Sequence, residues 1–121
     1  MKILLTEDHL DTAKVMRLIL EKYGLEVRTA GCLKEALEFA EAEQFDLLIA
    51  DVRLPDGDGF ALCNELHQRQ KLKSICLSGD VARPSIESGE GNCFNAYLAK
   101  PIDVAELLAT IQKITGWKPP A

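Results

Sequence analysis

The chain lacks any apolar run long enough to span a bilayer, and it carries no glycine-rich nucleotide fingerprint. It also has no C-x-x-C pair, no internal repeat and no low-complexity tract. Each absence removes a class of function. No membrane insertion is expected, because a spanning helix needs about 20 apolar residues in succession. The amino terminus offers one lysine and a short apolar run before Glu7 and Asp8, too little for a signal peptide. Cys32, Cys63, Cys76 and Cys93 lie far apart in sequence, whereas a zinc site usually shows ligands paired at short spacing. They are expected to be reduced and packed as small apolar side chains, which favours a cytoplasmic location. Of the two histidines, His9 follows an acid pair and His67 reads as an exposed helix position. Neither completes a nucleophile–base triad. Basic charge is also scarce: 14 Lys and Arg stand against 19 Asp and Glu, a net charge of −5. Nucleic-acid binding, which needs a basic face, is not expected.

What is present suits one compact α/β domain. Of the 121 residues, 47% are hydrophobic, enough for a substantial core. The domain is expected over residues 1–117, with 118–121 as a tail or the start of a linker. Apolar runs alternate with amphipathic stretches. Strands are predicted at 2–6, 25–29, 46–50, 73–77 and 95–99. Helices are predicted at 11–22, 33–43, 59–70, 82–92 and 104–115, with Leu18 and Ile19 among the inward candidates of the first. Gly24 can close that first helix in the left-handed conformation. The run at 46–50 is apolar without alternation, as a strand covered on both faces should be. Five βα units imply a parallel sheet with helices on both faces, although the pattern does not fix the strand order. The segment 82–92 fits a helix poorly, since it contains Pro84, Gly89 and Gly91.

The chemically capable residues cluster at one edge. Glu7 and Asp8 close the first strand and Asp51 closes the third. Ser78 ends the fourth, and Lys100-Pro101 follows the fifth. In an open parallel sheet the carboxyl edge is where ligands bind. Three converging carboxylates would repel one another, and Mg²⁺ relieves such crowding with all-oxygen ligands. Asp51 beside Mg²⁺ is a plausible phosphoryl acceptor, since a carboxylate can form an acyl phosphate. Lys100 supplies a point charge for phosphoryl oxygens, and Ser78 a hydrogen bond. Pro101 marks a turn, where a cis bond can occur. A calcium loop at Pro55-Asp56-Gly57-Asp58-Gly59 fails, because its first ligand position falls on Leu54. The segment reads instead as a turn with Asp58 capping the third helix.

In combination, Glu7-Asp8, Asp51 with Pro55 and Gly59 downstream, Ser78, Tyr97 and Lys100-Pro101 resemble the receiver domain of two-component response regulators. The resemblance runs from Lys2 to about Thr115. It implies a flavodoxin-like, five-stranded parallel sheet of order 2-1-3-4-5 flanked by five helices. It further implies that Asp51 is the phosphoacceptor. Asp8, Asp51 and the backbone carbonyl of Arg53 would hold Mg²⁺, with Glu7 acting through metal-bound water. Ser78 and Lys100 would bind phosphoryl oxygens, and Tyr97 would rotate inward on activation. The fourth helix, fifth strand and last helix would form the switched face. The donor would be a phosphohistidine on a histidine kinase or a histidine phosphotransfer protein. Such a domain catalyses its own phosphorylation and dephosphorylation rather than acting as a conventional enzyme. Arg53 and Asp80, each two residues past a site residue, are candidates to tune water access. Cys93 departs from the glycine usual at its position. Leu-Pro-Asp-Gly at 54–57 with Ser-Gly at 78–79 is similar to receivers attached to hybrid sensor kinases. The competing reading is a pseudo-receiver, a protein-interaction module that takes no phosphate. An aspartyl phosphatase is disfavoured, because Arg53 stands where a second acid would be needed.

Overall fold

The computed structural model describes residues 1–79 and 93–120. Five strands form one parallel sheet: β1 (Lys2–Thr6), β2 (Glu26–Ala30), β3 (Leu47–Asp51), β4 (Lys73–Ser78) and β5 (Ala96–Ala99). Their spatial order is 2-1-3-4-5, and every pair is parallel. Four helices are described: α1 (Leu10–Lys22), α2 (Leu33–Ala42), α3 (Gly59–Arg69) and α4 (Val104–Thr115). A two-residue antiparallel ribbon, Arg53–Leu54 against Gly57–Asp58, leads from β3 into α3. The expected helix at 82–92, together with Asp80, lies outside the described residues. No helix among the described residues is long and apolar enough to cross a membrane.

Alternation along the central strands divides the core. Ile3, Leu5, Ile49 and Leu77 face one way and pack with Met16 and Leu20 of α1 and Leu107 and Ile111 of α4. Leu4, Leu48, Ala50 and Cys76 face the other way, against Ala36 and Ala40 of α2 and Leu62 and Leu66 of α3. Both faces are covered, which is why β3 is buried at all five positions. Burying one such leucine contributes roughly 1.5–3 kcal/mol. The stripe on α1 differs from expectation. Ala13, Met16 and Leu20 point inward, whereas Leu18 is 52% exposed. At about 100° per residue, Leu18 is turned to the far side of the helix from both Met16 and Leu20.

Local chemistry sets the helix ends. Asp58 caps α3 by accepting from the Ala61 N–H at 2.7 Å, as expected. Asp103 does the same for α4 through Glu106. The first residue of α2 is capped from outside its own sequence. Asp56 accepts from the Leu33 and Lys34 N–H groups at 2.7 and 3.0 Å. The acidic turn at 55–59 thus caps two helices rather than holding calcium. Gly24 closes α1 at φ 85°, in the left-handed region.

Gln70 carries no sequence signal but ties α2 to α3. It is 6% exposed; its Oε1 accepts from the Phe45 N–H, and its Nε2 donates to the carbonyls of Ala40 and Glu43. Leucine at this position would strand one buried donor and two acceptors. We expect Gln70→Leu to cost about 2–4 kcal/mol in urea unfolding. A loss under about 0.5 kcal/mol would show that water replaces all three bonds.

The cysteines depart from expectation. Cys63 on α3 and Cys93 ahead of β5 are joined as a disulfide, with Cα atoms 6.2 Å apart. Only Cys32 and Cys76 are free among the described residues. The two sulfurs are 30 residues apart in sequence, so no spacing motif announced them. Packing of α3 beside the segment entering β5 brings them together. With two of the four cysteines joined, cysteine chemistry gives no support to a cytoplasmic location.

Candidate functional site

The carboxyl ends of β1, β3 and β5 meet at one cluster. Glu7 follows β1 directly, and its N–H is held by the Ala30 carbonyl at 2.9 Å, so the side chain turns into the sheet edge. It is 1% exposed. Asp51 is the last residue of β3 and is 7% exposed. Lys100 follows β5, where its N–H donates to the Ser78 carbonyl at 2.8 Å and a cis bond to Pro101 follows. Its side chain passes Gly79, with Cδ 3.9 Å from where a Cβ on that glycine would lie. The ammonium reaches Glu7 Oε1 at 2.7 Å and Asp51 Oδ2 at 2.8 Å.

One ammonium therefore serves two buried carboxyl groups, which leaves the cluster one negative charge in excess. Burial pushes the Asp51 carboxyl up to about 7, reinforced by its hydrogen bond with Glu7. Burial also works against charge on Glu7. The hydrogen bonds from Asp51 and Lys100 outweigh it and hold Glu7 at about 2. Burial opposes the charge on Lys100 as well, yet the bonds to Asp51 and Glu7 raise it above the ordinary lysine value. Below about pH 7 Asp51 therefore keeps a proton that an isolated aspartate would have released, and the excess charge appears only above that pH.

Asp8 differs from its neighbour. Its side chain is 39% exposed, and His9 Nδ1 lies 3.5 Å from its Oδ1. Donor atoms of Glu7, Asp8 and His9 all lie within 4.8 Å of one another. Glu7 therefore belongs to two groups, one with Asp51 and Lys100 and one with Asp8. An all-oxygen set with excess negative charge and one solvent-facing carboxylate fits a hard divalent cation. Of the other expected residues, Ser78 ends β4 half-buried and Arg53 is exposed in the ribbon. Tyr97 on β5 stacks edge-on against Phe94, with ring centroids 6.1 Å apart. Phe94 in turn meets Phe60 of α3 at 5.6 Å. Neither this aromatic chain nor the reason for Gly59 follows from local pattern: a Cβ on Gly59 would lie 2.1 Å from the Asp51 carbonyl oxygen.

Comparison with known proteins agrees with this geometry. Residues 3–112 match the family model of the response regulator receiver domain. The chain is 36% identical over 123 residues to an uncharacterized 14.6 kDa protein of Leptolyngbya boryana, covering 99% of this chain and 94% of that protein. It is 31% identical to the response regulator protein PilR of Pseudomonas aeruginosa, over 93% of this chain but only 26% of PilR. Among solved structures it resembles the response regulator TrrA of Thermotoga maritima, determined in complex with Mg²⁺ and beryllofluoride. The TM-score is 0.82 at 25% identity, covering 93% of this chain and 97% of that one. On its sheet order and on the match over nearly its whole length, the chain belongs to the receiver domain family of response regulators.

Proposed function

We propose that this receiver domain takes a phosphoryl group from a phosphohistidine onto Asp51 and is switched by it. The observation that carries the reading is the Lys100 ammonium held between Asp51 and Glu7 at the carboxyl edge of the sheet. An Asp51 oxygen attacks the phosphorus, the P–N bond of the donor breaks, and the imidazole nitrogen keeps the bonding pair and takes up a proton. The product on Asp51 is an acyl phosphate. Lys100 is already charged and in place, so its ammonium can pass from the carboxylate to a phosphoryl oxygen without crossing the site. The Ser78 hydroxyl donates to another. Mg²⁺, held by Asp8, Asp51 and the Arg53 carbonyl with Glu7 acting through water, would neutralise charge on the transferring group. Tyr97 and its contact with Phe94 offer a route from the site to the face around β5 and α4. Arg53 is placed to govern water access; its suggested partner Asp80 lies outside the described residues.

The donor is a histidine kinase or histidine phosphotransfer protein. A largely apolar groove of about 550 Å³, lined by Thr12, Met16 and Ile19 of α1 and by Pro101, Ile102 and Leu107, opens beside Lys100. It offers such a partner a surface within reach of Asp51. The reading places the domain in the cytoplasm, where ATP charges the kinase.

The test is incubation with a small phosphodonor and Mg²⁺, hydride trapping of the acyl phosphate, and mapping by mass spectrometry. Label is expected at Asp51 and is expected to fall to background in Asp51→Asn. Label elsewhere, or undiminished label in the variant, would refute the assignment. No label in the parent would favour a pseudo-receiver. The exposure of Asp8 gives a second expectation. Calorimetric Mg²⁺ titration should show Asp8→Asn losing about tenfold or more in affinity, and Glu7→Gln losing less. Glu7 is buried and already paired with Lys100, whereas Asp8 is solvent-facing. Equal losses would contradict the ranking.

A further inference from the structure

Cys63 and His67 lie four residues apart on α3 and so share one face of the helix. That face meets Cys93 in the segment entering β5. The two sulfurs and an imidazole nitrogen all lie within 4.8 Å of one another. Ser74 on β4 stands among them. Its Oγ lies 3.3 Å from Cys63 Sγ and 3.1 Å from His67 Nε2, and it donates to the Cys93 carbonyl at 3.2 Å. Cys63 is fully buried, Cys93 half-buried and His67 exposed. The cluster is thus anchored in the core and open to solvent on one side. It shares no residue with the acid site.

We propose that, once the Cys63–Cys93 bond is reduced, Cys63, His67 and Cys93 bind Zn²⁺. Two thiolates and an imidazole are ligands for a borderline-soft ion, and they disfavour the hard cation suited to the acid cluster. Donor atoms of a tetrahedral zinc lie about 3.3–3.8 Å apart, and the donors of this cluster already lie within 4.8 Å of one another. Three protein ligands leave a fourth position, which opens on the exposed side at His67 and takes water. Reduction consumes two electrons and two protons from a dithiol, which becomes a disulfide, and yields two thiols. Zinc then displaces the two thiol protons to solvent. Disulfide and zinc therefore exclude each other, and the site exists only in the reduced protein. No short-spaced motif marks the site, because Cys93 stands 30 residues from Cys63 and only Cys63 and His67 are one helical turn apart.

The test uses the whole chain, reduced with a phosphine that becomes its oxide, then desalted without air. Co²⁺ serves as the visible probe and Zn²⁺ as the competitor. The reduced parent should bind one Co²⁺ with thiolate charge-transfer absorption, Zn²⁺ should abolish that absorption, and the oxidised parent should show none. Cys93→Ser should lose the absorption, His67→Ala should bind about tenfold or more weakly, and Cys32→Ser should match the parent. Cys93 and His67 are not core residues, so these variants test the site without the folding risk of Cys63. Far-ultraviolet dichroism confirms that each is folded. Absorption missing from the reduced parent, kept in Cys93→Ser or lost in Cys32→Ser would overturn the proposal. So would unchanged affinity in His67→Ala.

Discussion

Gly59→Ala is expected to be the most damaging single-methyl change in this domain, with a loss on the order of 3 kcal/mol and of most phosphoryl uptake. Gly59 is the first residue of α3, buried against the end of β3. An added Cβ would lie 2.1 Å from the Asp51 carbonyl oxygen, 3.1 Å from its carbon and 3.4 Å from Val52 Cα. All three are backbone atoms, so no side chain can swing aside. Relief requires α3 to move off the strand. That motion strains the Gly59 N–H bond to the Val52 carbonyl, 2.7 Å long, and the Asp58 cap. Alternatively the Asp51 main chain shifts and takes its carboxyl out of line with Lys100. Two other glycines provide the controls. A Cβ on Gly57 would press the flexible tip of Leu33 at 2.9 Å, and one on Gly116 would meet nothing within 4 Å but sit at φ 79°. Alanine at Gly57 should cost about 1 kcal/mol or less, and alanine at Gly116 roughly 1–2 kcal/mol for its left-handed backbone alone. Urea unfolding of the three variants gives the comparison. If Gly59→Ala falls within about 1 kcal/mol of the controls, the steric account is wrong.

The sequence made the sheet legible because β3 and its neighbours are covered on both faces and read as unbroken apolar runs. Four of the five strands were expected one residue from where they begin or end. The order 2-1-3-4-5 came from the family resemblance, since βα alternation does not order strands. The acid edge was legible as well. What pattern does not reveal is which member of Glu7-Asp8 is buried. That depends on where the chain turns after β1, fixed by a hydrogen bond to Ala30. Leu18 was misjudged because α1 is apolar on more than one side, and only packing selects the stripe. Gln70, the Asp56 cap and the Cys63–His67–Cys93 cluster are long-range features. Each joins elements whose adjacency follows from the completed topology, so no local window contains them.

In a metal-free buffer, Asp51→Asn is expected to be more stable than the parent at pH 8, by on the order of 2 kcal/mol. The carboxyl that should carry phosphate is, without a cation, a burden on the fold. Its folded value of about 7 stands above the ordinary 3.8. Between those values the folded state binds the extra proton, so the parent loses stability as pH rises through the window. Glu7 acts in the opposite sense. Its folded value of about 2 is below the ordinary 4.5, so its contribution is present above pH 4.5 and lost as pH falls toward 2. Comparing parent with Asp51→Asn cancels the unrelated groups and isolates the rise above pH 4. The advantage of the variant should therefore shrink from pH 8 to pH 5 and vanish only below about pH 4, where Asp51 is protonated in the folded and unfolded states alike. Lys100→Met supplies the converse. It leaves Glu7, 1% exposed, without its cation and should cost about 3 kcal/mol or more at pH 8. Adding Asp51→Asn to that variant should recover part of the loss, since one of the two facing carboxyls is gone. Mg²⁺ should stabilise the parent more than Asp51→Asn. The measurement is urea unfolding at pH 5 and pH 8 in the presence of a chelator. An asparagine variant no more stable than the parent at pH 8, or equally advantaged at both pH values, would show that excess charge at Asp51 does not limit the stability of this fold.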